Sequence, residues 1–112
     1  MAVLLSCMLM KPPDFEWTDP WLPIADEAVA LSLLAELEKE AGPTHCLFHR
    51  AVKAVARRCD CDDVLFLTND PDRPLAVVHL TWRGEIEPDP LWPHTIFFLN
   101  WNDWRNRGQV AQ

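Results

Sequence analysis

Two stretches of almost unbroken apolar residues dominate the chain, Val64-Leu65-Phe66-Leu67-Thr68 and Leu75-Ala76-Val77-Val78-His79-Leu80-Thr81-Trp82. Between them lies Asn69-Asp70-Pro71-Asp72-Arg73-Pro74, a run of turn formers. Apolar runs of strand length joined by so short a polar link predict an antiparallel hairpin. Neither run alternates with polar residues, so both predict central strands, covered at least in part on each face. A different period governs Asp26 to Ala41. There Ala30, Leu33, Leu34, Leu37 and Ala41 recur at helical spacing, and Glu36, Lys39 and Glu40 fall elsewhere on the cylinder. Asp26 is a suitable N-cap, Asp26 and Glu27 suit the positive end of the helix dipole, and Gly42-Pro43 stops the helix.

Thr44 to Arg58 fits two templates. Leu47, Phe48, Ala51, Val52 and Val55 make a helical stripe with Arg50, Lys53 and Arg57 outside it. Val52, Ala54 and Ala56 equally make one face of a strand that runs into a turn at Cys59–Asp62. After Trp82 a long loop, GEIEPDPLWP, covers an edge or crosses the sheet; His94–Leu99 predicts a further strand, and Asn100–Arg107 a short terminal helix capped by Asn100 or Asn102. Upstream, Lys11–Pro23 reads as an extended, Pro-punctuated segment anchored by Phe15, Trp17 and Trp21. Met1–Met10 is apolar but has no basic flank and is short for a signal, so it reads as a loosely docked extension or an over-long start. Together the elements predict an α+β fold. It comprises a small antiparallel sheet of about four strands, one main helix packed on it, and a short C-terminal helix. Residues 24–108 form the single domain, and residues 1–23 an extended N-terminal arm.

Composition narrows the function classes. A chain of 112 residues that is 49% hydrophobic and 24% charged is an ordinary globular domain, long enough to bury a core without staples. The formal net charge of −7 is unevenly spread: residues 1–49 carry eight acids against two bases, residues 50–112 nine against eight. An acidic chain without a basic stripe argues against a nucleic-acid backbone or an anionic membrane as partner, and favours a basic protein. Cys7, Cys46, Cys59 and Cys61 do not form a secreted disulfide pattern and read as reduced thiols, which places the protein in the cytoplasm. No stretch reaches the roughly 18 apolar residues of a membrane span.

Chemistry is sparse. Cys59-Asp60-Cys61-Asp62-Asp63 with His79 holds zinc-ligand types, and Cys46 and His49 stand three apart. A lone C-x-C without a second pair is nevertheless read as a turn with incidental cysteines, so no metal and no cofactor is expected. The Asp run also lacks the Gly and distal Glu of a calcium loop. His79 has two readings: a general base served by Asp62 or Asp63, or a hydrogen-bonded core histidine, which is preferred. Ser6 and Ser32 stand in no nucleophile elbow, and Gly42, Gly84 and Gly108 make no phosphate loop. An enzyme is not expected. The six Trp, at positions 17, 21, 82, 92, 101 and 104, fill the core for the most part and supply one or two surface anchors, Trp92 and Trp104 first.

Asp62-Asp63-Val64-Leu65-Phe66, Ala76–Trp82, Trp92-Pro93-His94-Thr95 and Trp104 together resemble a family of small bacterial proteins with the pattern DDVLF…AVVHLTW…WPxT…W. The likeness covers about Leu47 to Arg105. It implies a small α+β domain and no known chemistry. The family's segment before DDVLF often carries a Gly, which favours a strand over a long helix for Ala51–Arg58; here that region has His49-Arg50 instead. Compact acidic domains without catalytic equipment are also typical of bacterial immunity proteins, an analogy of size and charge. The functional expectation is therefore a non-catalytic domain that neutralises a basic toxin partner. Asp60, Asp62, Asp63, Asp70 and Asp72 would steer association, and Trp92 and Trp104 would anchor it. The alternatives are a small hydrolase or metal-dependent enzyme using His79 with Asp60–Asp63, and a structural or adaptor subunit that offers a sheet edge.

Overall fold

The computed structural model describes residues 17–48, 50–82 and 93–109. Five strands form one antiparallel sheet in chain order: β1 (Trp21–Pro23), β2 (Val52–Arg58), β3 (Asp63–Thr68), β4 (Leu75–His79) and β5 (His94–Phe98). The main helix, α1 (Glu27–Glu40), packs on one face. A single turn, α2 (Trp101–Asp103), widens into a π-helical turn over Trp104–Gln109 and covers part of the other face. The α+β expectation holds, with five strands rather than about four.

The hairpin β3–β4 forms as its apolar runs dictate, with Val64 opposite Val78 and Phe66 opposite Ala76. Alternation sends Val64, Phe66 and Val78 into a core with Ala30, Leu33, Leu37 and Leu47. Leu65, Leu67, Leu75 and Val77 enter a second core with Trp21, Phe98 and Trp104. Both faces are thus covered, which is why these strands carry apolar side chains at nearly every position. Asn69–Pro74 closes the hairpin. Asp70 Oδ1 accepts from Asp72 N at 2.9 Å, and Thr68 Oγ1 donates to Arg73 O at 2.8 Å, so Asp70 is a turn-forming residue.

In α1, Asp26 caps the N-terminus by accepting from Ala28 N at 2.9 Å. The buried stripe is Ala30, Leu33, Leu37 and Ala41, while Leu34 is only half-buried. Glu36 and Glu40, assigned by the periodicity to the outside, are buried with it.

The ambiguous segment is a strand, and Ala54 faces α1 as expected. A bulge between Ala54 and Ala56 then shifts the register, so Ala56 enters the opposite core instead of continuing the face of Val52 and Ala54. The bulged Val55 turns its carbonyl to Ile24 N at 2.9 Å. The arm boundary drawn at Pro23 also moves. Trp21 is fully buried and Trp21–Pro23 pair with Ala56–Arg58, so the folded body starts upstream of position 24. Trp17 and Trp21 act as the expected anchors: both stand edge-on to Trp104, at 6.4 and 4.8 Å between ring centres. Phe15, His49, Trp92 and the rest of residues 83–92, where the sequence predicts a long loop, lie outside the described residues.

Candidate functional site

The predicted strand Leu75–Trp82 stops at His79, and the reason is a buried carboxylate. Glu40, at the end of α1, accepts from Thr81 N through Oε1 at 2.9 Å and from Trp82 N through Oε2 at 2.8 Å. Two successive N–H groups aimed at one anion pull the chain out of the ladder and leave Trp82 at φ 59°, in the left-handed region where a bulky residue is strained. Glu40 is fully buried. That burial, helped by a hydrogen bond with Glu36, pushes its pKa above the ordinary carboxyl value. The Trp82 side chain is 47% exposed. The strain and the exposure coincide at one aromatic residue, which the apolar run alone assigns to the last position of a strand.

Trp82 lies at the end of the sheet that also holds the β2–β3 turn, since Leu80 N donates to Asp62 O at 3.2 Å. That turn carries Asp60 and Asp62, both exposed. Arg58 clasps Asp60 in a two-pronged pair, Nε to Oδ1 at 2.8 Å and Nη2 to Oδ2 at 2.7 Å, which lowers the Asp60 pKa. An open groove of about 590 Å³ runs between this turn and Leu22 of β1. Asp63 begins β3, faces His79 across the ladder, and accepts from His79 Nδ1 at 2.7 Å. His79 is therefore not the core histidine that was expected, because its side chain is 45% exposed. His94 stands opposite it on β5.

The five acids proposed for binding do not form one cluster. Asp60, Asp62 and Asp63 lie at one end of β3, and Asp70 and Asp72 beyond the other, a six-residue strand apart, roughly 20 Å at strand rise. Asp70 is committed to its turn and to Arg73 Nε at 3.3 Å, and Asp72 is exposed. Trp104 is no surface anchor: it is 0% exposed, wedged edge-on among Trp17, Trp21 and Phe98. Trp92 lies outside the described residues. Among the described aromatics Trp82 and Phe48 are exposed, Trp82 the more so, and the sequence marks Trp82 only as one of six tryptophans.

Two further groups bear on chemistry. His45 is buried, its Nε2 donates to Pro93 O at 2.8 Å, and its Nδ1 accepts from Leu47 N at 3.0 Å. Cys46 Sγ lies 4.0 Å from that Nδ1, and the imidazole draws the thiol below its ordinary pKa. With Nδ1 already held by a backbone N–H, His45 is a staple between the α1–β2 connection and β5 rather than a base for Cys46. Cys46, Cys59 and Cys61 are free thiols. Among the described residues no group of three or more His, Cys, Asp and Glu side chains is placed to hold a metal, and no helix is long and apolar enough to cross a membrane.

Comparison with family models, with curated proteins and with solved structures finds no match for this chain, so the pattern resemblance stands without a family assignment.

Proposed function

We propose that this chain is a non-catalytic protein-binding domain for a cationic protein partner, in the manner of a bacterial immunity protein that masks a basic toxin. The observation that carries the reading is Trp82, half-exposed and held in the left-handed region by Glu40, at the end of the sheet where the turn with Asp60 and Asp62 lies. A tryptophan side chain has only two rotatable bonds to order on binding, and aromatic anchors ringed by polar groups dominate interface energetics. The net charge of −7 supplies attraction to a basic surface. The toxin role and a cytoplasmic setting rest on the analogy of size, acidity and free thiols.

The test is affinity capture from the native host, followed by binding measurements on the purified captured protein. Support requires a basic partner whose complex dissociates at least tenfold faster with Trp82→Ala, in a variant that keeps its thermal midpoint. Loss of no affinity in that variant removes the reading. A second reading has one specific observation in its favour: the Asp63–His79 pair at 2.7 Å has the geometry of an oriented general base. Turnover of a hydrolysable substrate that disappears with His79→Ala, without any basic partner, would establish it instead.

A further inference from the structure

Across β3, β4 and β5 one row of the sheet reads Asp63, His79, His94, each opposite the next in register. Two-residue alternation puts all three on the face that carries Leu65 and Val77. Ile96, the next residue on that face of β5, is exposed, as is His94, so the C-terminal turn does not reach this end. Side chains directly opposite on neighbouring antiparallel strands have Cβ atoms about 4.5–5.5 Å apart. That separation suits two imidazoles converging on one ion at about 2.0–2.1 Å from each nitrogen.

The hydrogen bond to Asp63 makes this more than a surface pair. An ionised carboxylate only accepts, so His79 Nδ1 is the donor, and in the neutral ring the lone pair then sits on Nε2, directed away from Asp63. A carboxylate behind a histidine fixes ring orientation and raises ligand basicity, the arrangement found behind metal-bound imidazoles. We propose that His79 and His94 chelate a divalent transition-metal ion of the zinc, nickel or copper type, with Asp63 as the positioning residue behind His79. Two protein ligands leave the remaining positions to water, so the site is exchangeable and the fold does not depend on it. The thiols of Cys59 and Cys61 take no part. This inference is independent of the partner-binding reading.

The full chain, stripped of metal, is titrated with zinc alone by calorimetry, and the histidine ring signals are followed by NMR. Expected are one saturable equivalent and movement of two ring signals. His79→Ala and His94→Ala should each weaken binding at least tenfold, and Asp63→Asn by about ten- to a hundredfold. Cys59→Ser with Cys61→Ser should leave it unchanged. Affinity should also fall as the pH is lowered, because protons compete for the ligand nitrogens. No saturation by about 1 mM zinc, undiminished binding by His94→Ala, or loss of binding in the double serine variant overturns the proposal. Should His79→Ala fail to fold, His94→Ala decides, since its side chain is exposed on an edge strand of the described sheet.

Discussion

Burying Glu40 beneath the exit of β4 desolvates a carboxylate, and the N–H groups of Thr81 and Trp82 offset part of that cost. Because burial first and Glu36 second raise the Glu40 pKa above 4.5, the folded chain holds this proton more tightly than the unfolded one. The stability so gained is complete below the unfolded value and is lost as the pH rises through the raised one. Glu36→Gln keeps a donor beside Glu40 but removes the second acid. The decline of thermal midpoint with rising pH should therefore flatten in that variant, and an unchanged slope would show that the two carboxyls do not share a proton. Glu40→Gln leaves one backbone N–H facing an amide NH2, so a loss of about 1–3 kcal/mol is expected in denaturant titrations. The Thr81 and Trp82 amides should then exchange faster. Gly108 has no room for a side chain either. A Cβ there would collide with Trp104 Cε3 and stand 2.8 Å from Phe98 Cζ. Gly108→Ala should consequently cost about 1–3 kcal/mol through overpacking.

At the scale of elements, legibility tracked how far each segment's burial is set by its own residues. The β3–β4 hairpin was readable because both faces of both strands are covered, and α1 because its stripe and cap are local. β2 fitted two templates because the bulge at Val55 breaks the period of two, leaving Ala54 and Ala56 on opposite faces. β1 was missed because Trp-Leu-Pro is three residues long, with only Trp21 buried. Glu40 was misplaced because its partners lie 41 and 42 residues away, beyond any periodic signal. The buried stripe of α1 predicts an order of losses: Leu33→Ala and Val78→Ala should cost about 2–4 kcal/mol, and Leu34→Ala less, since it is only half-buried. Equal denaturant midpoints for Leu33→Ala and Leu34→Ala would contradict the orientation of the helix. The C-terminal turn seals β5 in a different way. Asp103 accepts from Leu99 N at 2.8 Å and pairs with Arg107, whose Nη2 donates to Phe97 O at 3.3 Å, so part of the outer edge of β5 is occupied. Arg107, followed by the Leu99 N–H, lowers the Asp103 pKa to about 2. Its contribution is thus present above 3.8 and lost as the pH falls towards 2. The difference in thermal midpoint between the parent and Asp103→Asn should shrink over that interval; a constant difference would mean that Asp103 does not act as an ion.

For the whole molecule, the charge that suggested a cationic partner is real but distributed, and its geometry sharpens what should be measured. The acids at positions 60, 62 and 63 share an end of the sheet with Trp82, whereas Asp72 sits beyond the far end of β3. At physiological ionic strength the Debye length is about 8 Å, less than half the roughly 20 Å between these groups, so a distant carboxylate contributes little to attraction at the Trp82 end. Asp60→Asn with Asp62→Asn should therefore slow association with a basic partner and flatten its salt dependence, leaving dissociation nearly unchanged. Asp72→Asn, which removes a charge without the turn role of Asp70, should change association far less. Trp82→Ala should act on the other rate and speed dissociation, because it removes contact area rather than field. Stopped-flow traces at two salt concentrations separate these effects. If Asp72→Asn slows association as much as the Asp60 and Asp62 changes do, the partner does not dock at the Trp82 end. The acidity would then act as a general field, and the contact surface would have to be sought elsewhere on the domain.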